Sequence, residues 1–214
     1  MDKKNVDYTL YFVTDRNIMS SGKIEDAVIS AIEGGVTVIQ LREKNISSRE
    51  FFETAVRVRD ICKSRGIPLI INDRADIAKA ADCDGVHIGK DDLPIWAARK
   101  IMGDDKIIGV SAQNLKRALD AQKDGADYIG VGALFQTSTK TNTVSVTPAE
   151  LTEIKRSVDI PVVGIGGINK GNIDALRGTG IDGVAVVSAI IAERDIKEAA
   201  KVMREKTVSV LRRD

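Results

Sequence analysis

The side chains able to do chemistry in this sequence fall into three groups. The first is a train of hydroxyls with an ammonium inside it: Thr137, Ser138, Thr139, Lys140, Thr141 and Thr143, soon after an apolar run that ends at Leu134. Phosphate oxygens accept hydrogen bonds from hydroxyls and lysine, although Ser and Thr are also common in solvated loops. The second is Arg42 with Lys44, two cations on one short stretch. They suit an anion as well as they suit plain solvated surface charge. The third is Asp73 with Asp92, each just past an apolar run, with Asn72 beside the first. Either aspartate alone reads more readily as a helix N-cap. Side by side, the two carboxylates could share Mg²⁺, which usually binds through one or two carboxylates plus substrate phosphates. The choice depends on whether the fold gathers the three groups on one face.

Positioning them takes a scaffold, and the sequence alternates short β-branched runs with amphipathic stretches from end to end. The apolar runs are TLYFV, VTVIQL, PLIIN, GVHIG, IIGVS, YIGVGAL, PVVGIGG and GVAVVSA. Helical patterns such as KIEDAVISAIEGG, SREFFETAVRVRDICKSRG and NLKRALDAQKDG lie between them. Nearly continuous apolar strands separated by helices argue for a parallel sheet covered on both faces. A small-residue turn enters a strand at Gly34, Cys83, Gly125 and Gly180, a weak repeat in which a left-handed glycine would end each helix. Eight strand–helix units predict an α/β fold of the (β/α)8 TIM-barrel type, which takes about 200 to 400 residues. No linker or shift in composition divides residues 1–214, so one catalytic domain is expected. The competing doubly wound sheet usually carries a glycine-rich loop after its first strand; that place holds VTDRN.

In such barrels the functional groups sit at the carboxyl ends of the strands and in the loops that follow. Those ends carry Asp15 and Arg16, then Gln40, Leu41, Arg42, Glu43 and Lys44, then Asn72, Asp73 and Arg74, then Lys90, Asp91 and Asp92. Ser111 and Gln113 follow the fifth strand, the hydroxyl train the sixth, Gly166 and Gly167 the seventh, and Ser188 the eighth. All three groups therefore converge on one rim, which favours an anion grip and a metal pair over solvated loops and caps. Loops after strands seven and eight frequently form a phosphate cup from backbone N–H donors. Two anion grips with a hard cation suit two phosphorylated groups in one pocket, and a metal-held diphosphate is a good leaving group. His87 is the only histidine. It is expected to be a hydrogen-bonded residue of the barrel interior, outside the site.

Lys and Arg total 32 against 31 Asp and Glu, a balance that favours neither nucleic acid nor a membrane surface as partner. Aromatic residues make up 4% of the chain, too few for a base-stacking platform. No apolar run approaches a membrane span, and the N-terminus has no signal-peptide pattern. Cys62 and Cys83 lack zinc or disulfide spacing, so reduced thiols in the cytoplasm are expected.

From Tyr11 to Ile190 the chain resembles the thiamine phosphate synthase family. YFVTDR, VIQLREKN, INDRADIA, DGVHIGKDDLP, DYIGVGALFQTSTK, VVGIGGI and VVSAI stand in family order at family-like intervals. The resemblance implies a transferase that joins 4-amino-2-methyl-5-(diphosphooxymethyl)pyrimidine to a thiazole phosphate with Mg²⁺, giving thiamine phosphate and diphosphate by a dissociative route. It implies that Gln40, Leu41, Arg42, Glu43, Lys44, Asn72, Ser111 and Lys140 hold the pyrimidine diphosphate, with Arg42, Lys44, Ser111 and Lys140 as the catalytic groups. It makes Asp73 and Asp92 the Mg²⁺ ligands and places the thiazole phosphate on Thr137, Ser138, Thr139, Gly167, Val187 and Ser188. Four positions depart from the family pattern: Gln113 replaces a frequent histidine, Ala133 and Gln136 replace prolines, and Lys90 replaces a common glutamine. A related thiazole tautomerase would need neither the carboxylate pair nor the whole QLREK set, and it would place an acid–base histidine near position 113. A non-catalytic phospholigand-binding barrel is the alternative of another class.

Overall fold

The computed structural model describes residues 2–20, 22–136 and 145–212. Its strands are β1 (Leu10–Val13), β2 (Val38–Leu41), β3 (Leu69–Asn72), β4 (Gly85–Ile88), β5 (Ile107–Ala112), β6 (Tyr128–Val131), β7 (Val162–Ile165) and β8 (Gly183–Val186). All pair in parallel, each with its neighbour in the chain, and β8 pairs back onto β1 to close the (β/α)8 barrel. The strands read as apolar runs because both of their faces are buried. Outward residues such as Phe12, Ile39, Leu41, Ile71 and Val86 join the core beneath the helices. Inward residues, among them Tyr11, Val38, Ile70, Ile107, Tyr128 and Val163, fill the barrel itself.

Helices α1 (Ile24–Glu33), α2 (Ser48–Ser64), α3 (Ala75–Ala80), α4 (Ile95–Met102), α5 (Leu115–Lys123) and α6 (Pro148–Ser157) follow the first six strands. Their starts are written locally. Ser47 accepts the Glu50 N–H at 3.1 Å ahead of α2, and Thr147 and Glu150 cap each other's backbone N–H ahead of α6, satisfying donors that the first turn leaves orphaned. The strand–helix alternation departs from expectation once. A 3₁₀ turn at Ile173–Leu176 joins β7 to β8, where the segment NKGNIDALRGTG is short and interrupted by glycines that disfavour a helix. After β8 come the short α7 (Ser188–Ile191) and the long α8 (Ile196–Leu211), which packs against α1.

The weak repeat has a backbone basis. Gly35, Gly125 and Gly180 have φ of 98°, 91° and 76°, and Asp82 takes the equivalent place before Cys83 at 53°. Gly34 is glycine for a different reason, since a methyl there would lie 2.6 Å from the Ala200 Cβ on α8. Gly34→Ala is therefore expected to push α1 and α8 apart at a cost of about 1–3 kcal/mol. A thermal melt checks this: the midpoint should fall by several degrees, and an unchanged midpoint would refute the close approach. Cys62 and Cys83 are buried free thiols, and burial pushes each up to about 12, so both stay protonated and inert. Among the described residues no helix is long and apolar enough to cross a membrane.

Candidate active site

Because all eight strands run the same way, their carboxyl ends meet at one rim, and a pocket opens there. Each strand lends it a residue: Val13, Gln40, Asn72, His87, Ser111, Gly130, Ile165 and Ala185, from β1 to β8 in turn. Above them the mouth is lined by Arg42, Asp73, Gly89, Gln113, Ala133, Gly166, Gly167, Val187 and Ser188. Residues scattered over the whole sequence thus share one cavity, as the rim reading requires.

The charged groups are held in pairs. Arg42 Nη1 lies 2.7 Å from Asp15 Oδ2, both side chains largely buried. Asp15 is steadied in turn by the Asn17 N–H at 3.1 Å. Lys44 pairs with Asp73. Asp73 sits at φ 64°, with its N–H on the His87 carbonyl at 2.8 Å. That left-handed backbone costs a non-glycine residue about 1–2 kcal/mol, least for Asp and Asn, and the neighbouring strand β4 holds it in place. Across β4 the Asp92 Oδ2 accepts the Gly89 N–H at 2.6 Å. Burial pushes the Asp92 carboxyl up and the adjacent Asp73 adds to this, against the Gly89 hydrogen bond and the Lys44 charge. Two carboxylates this close repel unless a cation or a proton lies between them. Their hard oxygens suit Mg²⁺. Among the described residues no group of three or more His, Cys, Asp or Glu could hold a metal, so most coordination positions would be left to water and substrate phosphate.

Not every expected residue faces the cavity. Leu41 is wholly buried on the helix side of β2. The Glu43 carboxylate, 2% exposed, is gripped by Arg16, whose Nη2 lies 3.0 Å from Oε1 and Nε 3.1 Å from Oε2. Both side chains anchor the loop that carries Arg42 and Lys44. Thr137, Ser138, Thr139 and Lys140 lie outside the described residues. Gln113 and Ala133, two of the departures, do line the pocket, whereas Lys90 and Gln136 are exposed. His87 is interior and hydrogen-bonded as expected, its Nδ1 2.9 Å from the Tyr128 hydroxyl and its Nε2 3.0 Å from Ser111 Oγ. It also lines the pocket, which the sequence reading missed. Tyr11 and Tyr128 lie below it in the barrel. Nothing in their runs marks them as inward, because strands buried on both faces show no polar alternation.

Comparison with known proteins agrees with this fold. The family model described as thiamine monophosphate synthase matches residues 10–190. A thiamine-phosphate synthase of Clostridium botulinum is 55% identical over 203 residues, covering 95% of each chain. One of Ruminiclostridium cellulolyticum is 56% identical over 203 residues, covering 95% of this chain and 97% of the other. Among solved structures, a thiamine phosphate pyrophosphorylase from Pyrococcus furiosus is similar with a TM-score of 0.88 at 39% identity, covering 96% of this chain and 98% of its own.

Proposed function

The chain belongs to the thiamine monophosphate synthase family and shares its transferase reaction, and from that premise we propose how its rim divides the work. The carrying observation is that Asp73 and Asp92 meet beside Lys44, and that Asp73 lines the pocket together with Arg42. The substrates are an aminopyrimidine with a diphosphooxymethyl arm and a thiazole phosphate. The bond between the pyrimidine methylene carbon and the diphosphate oxygen breaks, and its electron pair leaves with the diphosphate. The lone pair of the thiazole nitrogen then forms the new C–N bond, giving thiamine phosphate. Such a step needs no protein nucleophile. It needs positioned charges that stabilise what leaves.

In this reading Gln40, Asn72 and Ser111 on the pocket floor hold the pyrimidine, and Arg42, Lys44 and Lys140 face its diphosphate. Leu41 and Glu43 contribute backbone and anchor the loop. Asp73 and Asp92 would hold Mg²⁺, which when bound neutralises charge on the diphosphate. Thr137, Ser138, Thr139, Gly167, Val187 and Ser188 take the thiazole phosphate. Gly167 supports that grouping: a methyl there would lie 3.0 Å from the Phe135 carbonyl carbon, so the loop entering the hydroxyl train passes directly against the turn after β7.

The test is formation of thiamine phosphate from the two substrates with Mg²⁺, beside a control with chelator. Binding of both without turnover would instead support a phospholigand-binding barrel. A second measurement concerns Gln113, which lines the pocket but cannot act as an acid or base. Gln113→Ala is expected to lower turnover by less than about tenfold, the worth of one ordinary hydrogen bond, and Gln113→His to be tolerated. Thiazole tautomerase activity that depends on Gln113 would favour the rival enzyme.

A further inference from the structure

Beneath the rim, five polar side chains form an unbroken hydrogen-bonded line through the barrel interior. The Gln40 Nε2 donates to the Tyr11 hydroxyl at 2.8 Å. The Tyr11 and Tyr128 hydroxyls lie 2.7 Å apart, and Tyr128 leads on to His87 and Ser111 at 2.9 and 3.0 Å. Both ends of the line, Gln40 and Ser111, line the pocket. The sequence makes room for it. Gly109 pairs with both His87 and Tyr128 across the sheet, and a methyl at Gly109 would overlap the hydroxyl end of Tyr128. A methyl at Gly130 would lie 3.3 Å from the His87 Cε1. Ring contacts hold the line in place, with Tyr128 4.8 Å from Tyr8, 5.8 Å from Tyr11 and 5.6 Å from His87 between centroids. Burial pushes the Tyr11 and Tyr128 phenols well up, so each keeps one proton to give.

With the Gln40 Nε2 on Tyr11, counting those protons gives the line a direction. Tyr11 accepts from Gln40 and places its own proton on the Tyr128 oxygen, and Tyr128 places its proton on His87 Nδ1. A neutral imidazole accepting at Nδ1 carries its proton on Nε2 and donates it to Ser111 Oγ. The Ser111 proton is then left to turn toward the pocket. Running the line backwards would bring a second proton onto the Tyr11 oxygen unless the Gln40 amide turned over with it, so the amide and the imidazole tautomer switch only together.

We propose that Tyr11, Tyr128 and His87 are positioning residues that set the polarity of the pocket, holding the Gln40 carbonyl oxygen out as an acceptor and the Ser111 hydroxyl as a donor. The proposal rests on the reading that Gln40 and Ser111 hold the pyrimidine. A glutamine amide left to itself can turn over and offer either end; the line ties that choice to the His87 tautomer, through Tyr11 and Tyr128. The pocket therefore selects an aminopyrimidine, whose amino group donates, against the corresponding oxopyrimidine, whose oxygen accepts. Sites that leave a polar group unpaired on the wrong ligand discriminate strongly.

The single histidine of the chain makes the first readout direct. In tag-free protein with isotope-labelled histidine, nitrogen NMR shows one imidazole and reports its tautomer without substrate. The expected result at neutral pH is the Nε2–H tautomer in the wild type, shifting to a mixture in Tyr128→Phe, which loses only the hydroxyl. The second readout is competition between the amino and oxo pyrimidine diphosphates. Discrimination should fall about tenfold or more in Tyr11→Phe and in Tyr128→Phe, with KM for the thiazole phosphate unchanged within about twofold. An Nδ1–H or doubly protonated ring in the wild type overturns the proposal, as does unchanged discrimination in both variants. Should either variant unfold, the wild-type tautomer decides. If the wild type makes no thiamine phosphate, the functional reading fails, while the tautomer still decides the direction of the line.

Discussion

Asp73→Asn and Asp92→Asn are each expected to lower turnover on the order of 10²–10³-fold, the scale of losing a main source of charge stabilisation on a leaving group. Asparagine is the informative replacement. It keeps the shape, it tolerates the left-handed backbone at position 73, and at position 92 its carbonyl still accepts the Gly89 N–H. The partly exposed Lys44–Asp73 pair adds little to stability, so the loss should appear in turnover and not in the thermal midpoint. Groups that act as one unit are strongly non-additive, and the double variant should be little worse than either single one. Raised Mg²⁺ should partly restore a single variant and hardly affect the double. Turnover of the four proteins across a magnesium titration decides the matter. Losses that simply multiply, or a wild type that works in chelator, would show that the two carboxylates share no cation.

A second large effect is expected at Arg42, where stability and chemistry can be separated. Arg42→Met removes a planar cation that grips phosphate oxygens in pairs, and a lysine would not restore that geometry. The kcat/KM should drop about 10²-fold or more. The same change strands Asp15, whose side chain is 9% exposed, as an uncompensated charge. Breaking a buried pair from one side costs about 3–5 kcal/mol, and the Asn17 contact offsets part of this. The thermal midpoint should therefore fall as well. Adding Asp15→Asn removes the stranded charge, so the double variant should recover most of the midpoint while its kcat/KM stays as low as that of Arg42→Met. Wild-type turnover in Arg42→Met would end the assignment of Arg42 to the diphosphate.

Much of the scaffold was legible because it is written in local patterns. Strands β1 to β8 appear as apolar runs, and capping residues such as Ser47 and Thr147 mark where helices begin. The rim followed from the parallel topology alone, since strand ends face one way once the barrel closes. What was hidden depends on which way a side chain points and on register. The Glu43 pair with Arg16 joins loops after different strands, so its anchoring role could not be separated from a ligand role by position in the sequence. The buried line needs β4, β5 and β6 in register to bring His87 beside Tyr128, and Tyr11 joins it from β1; nothing in GVHIG or YIGVGAL distinguishes inward from outward residues. The missing helix between β7 and β8 was a matter of segment length.

The closure of β8 onto β1 also has a temporal consequence. Seven of the eight strand pairings join consecutive strands, and the remaining one joins the two ends of the series. That seam can be sealed only after β1 through β7 have been made, because β8 and the α8 helix that packs on α1 follow them in the chain. Long-range pairings are also the slow ones to form. Since every strand supplies a wall of the cavity, a nascent chain that has released β1 through β6 already carries both aspartates, Arg42 and Ser111 yet has no enclosed pocket. The pocket is therefore expected to take both substrates only once β8 has joined β1, and truncations upstream of β8 should behave as aggregation-prone open barrels with no partial activity.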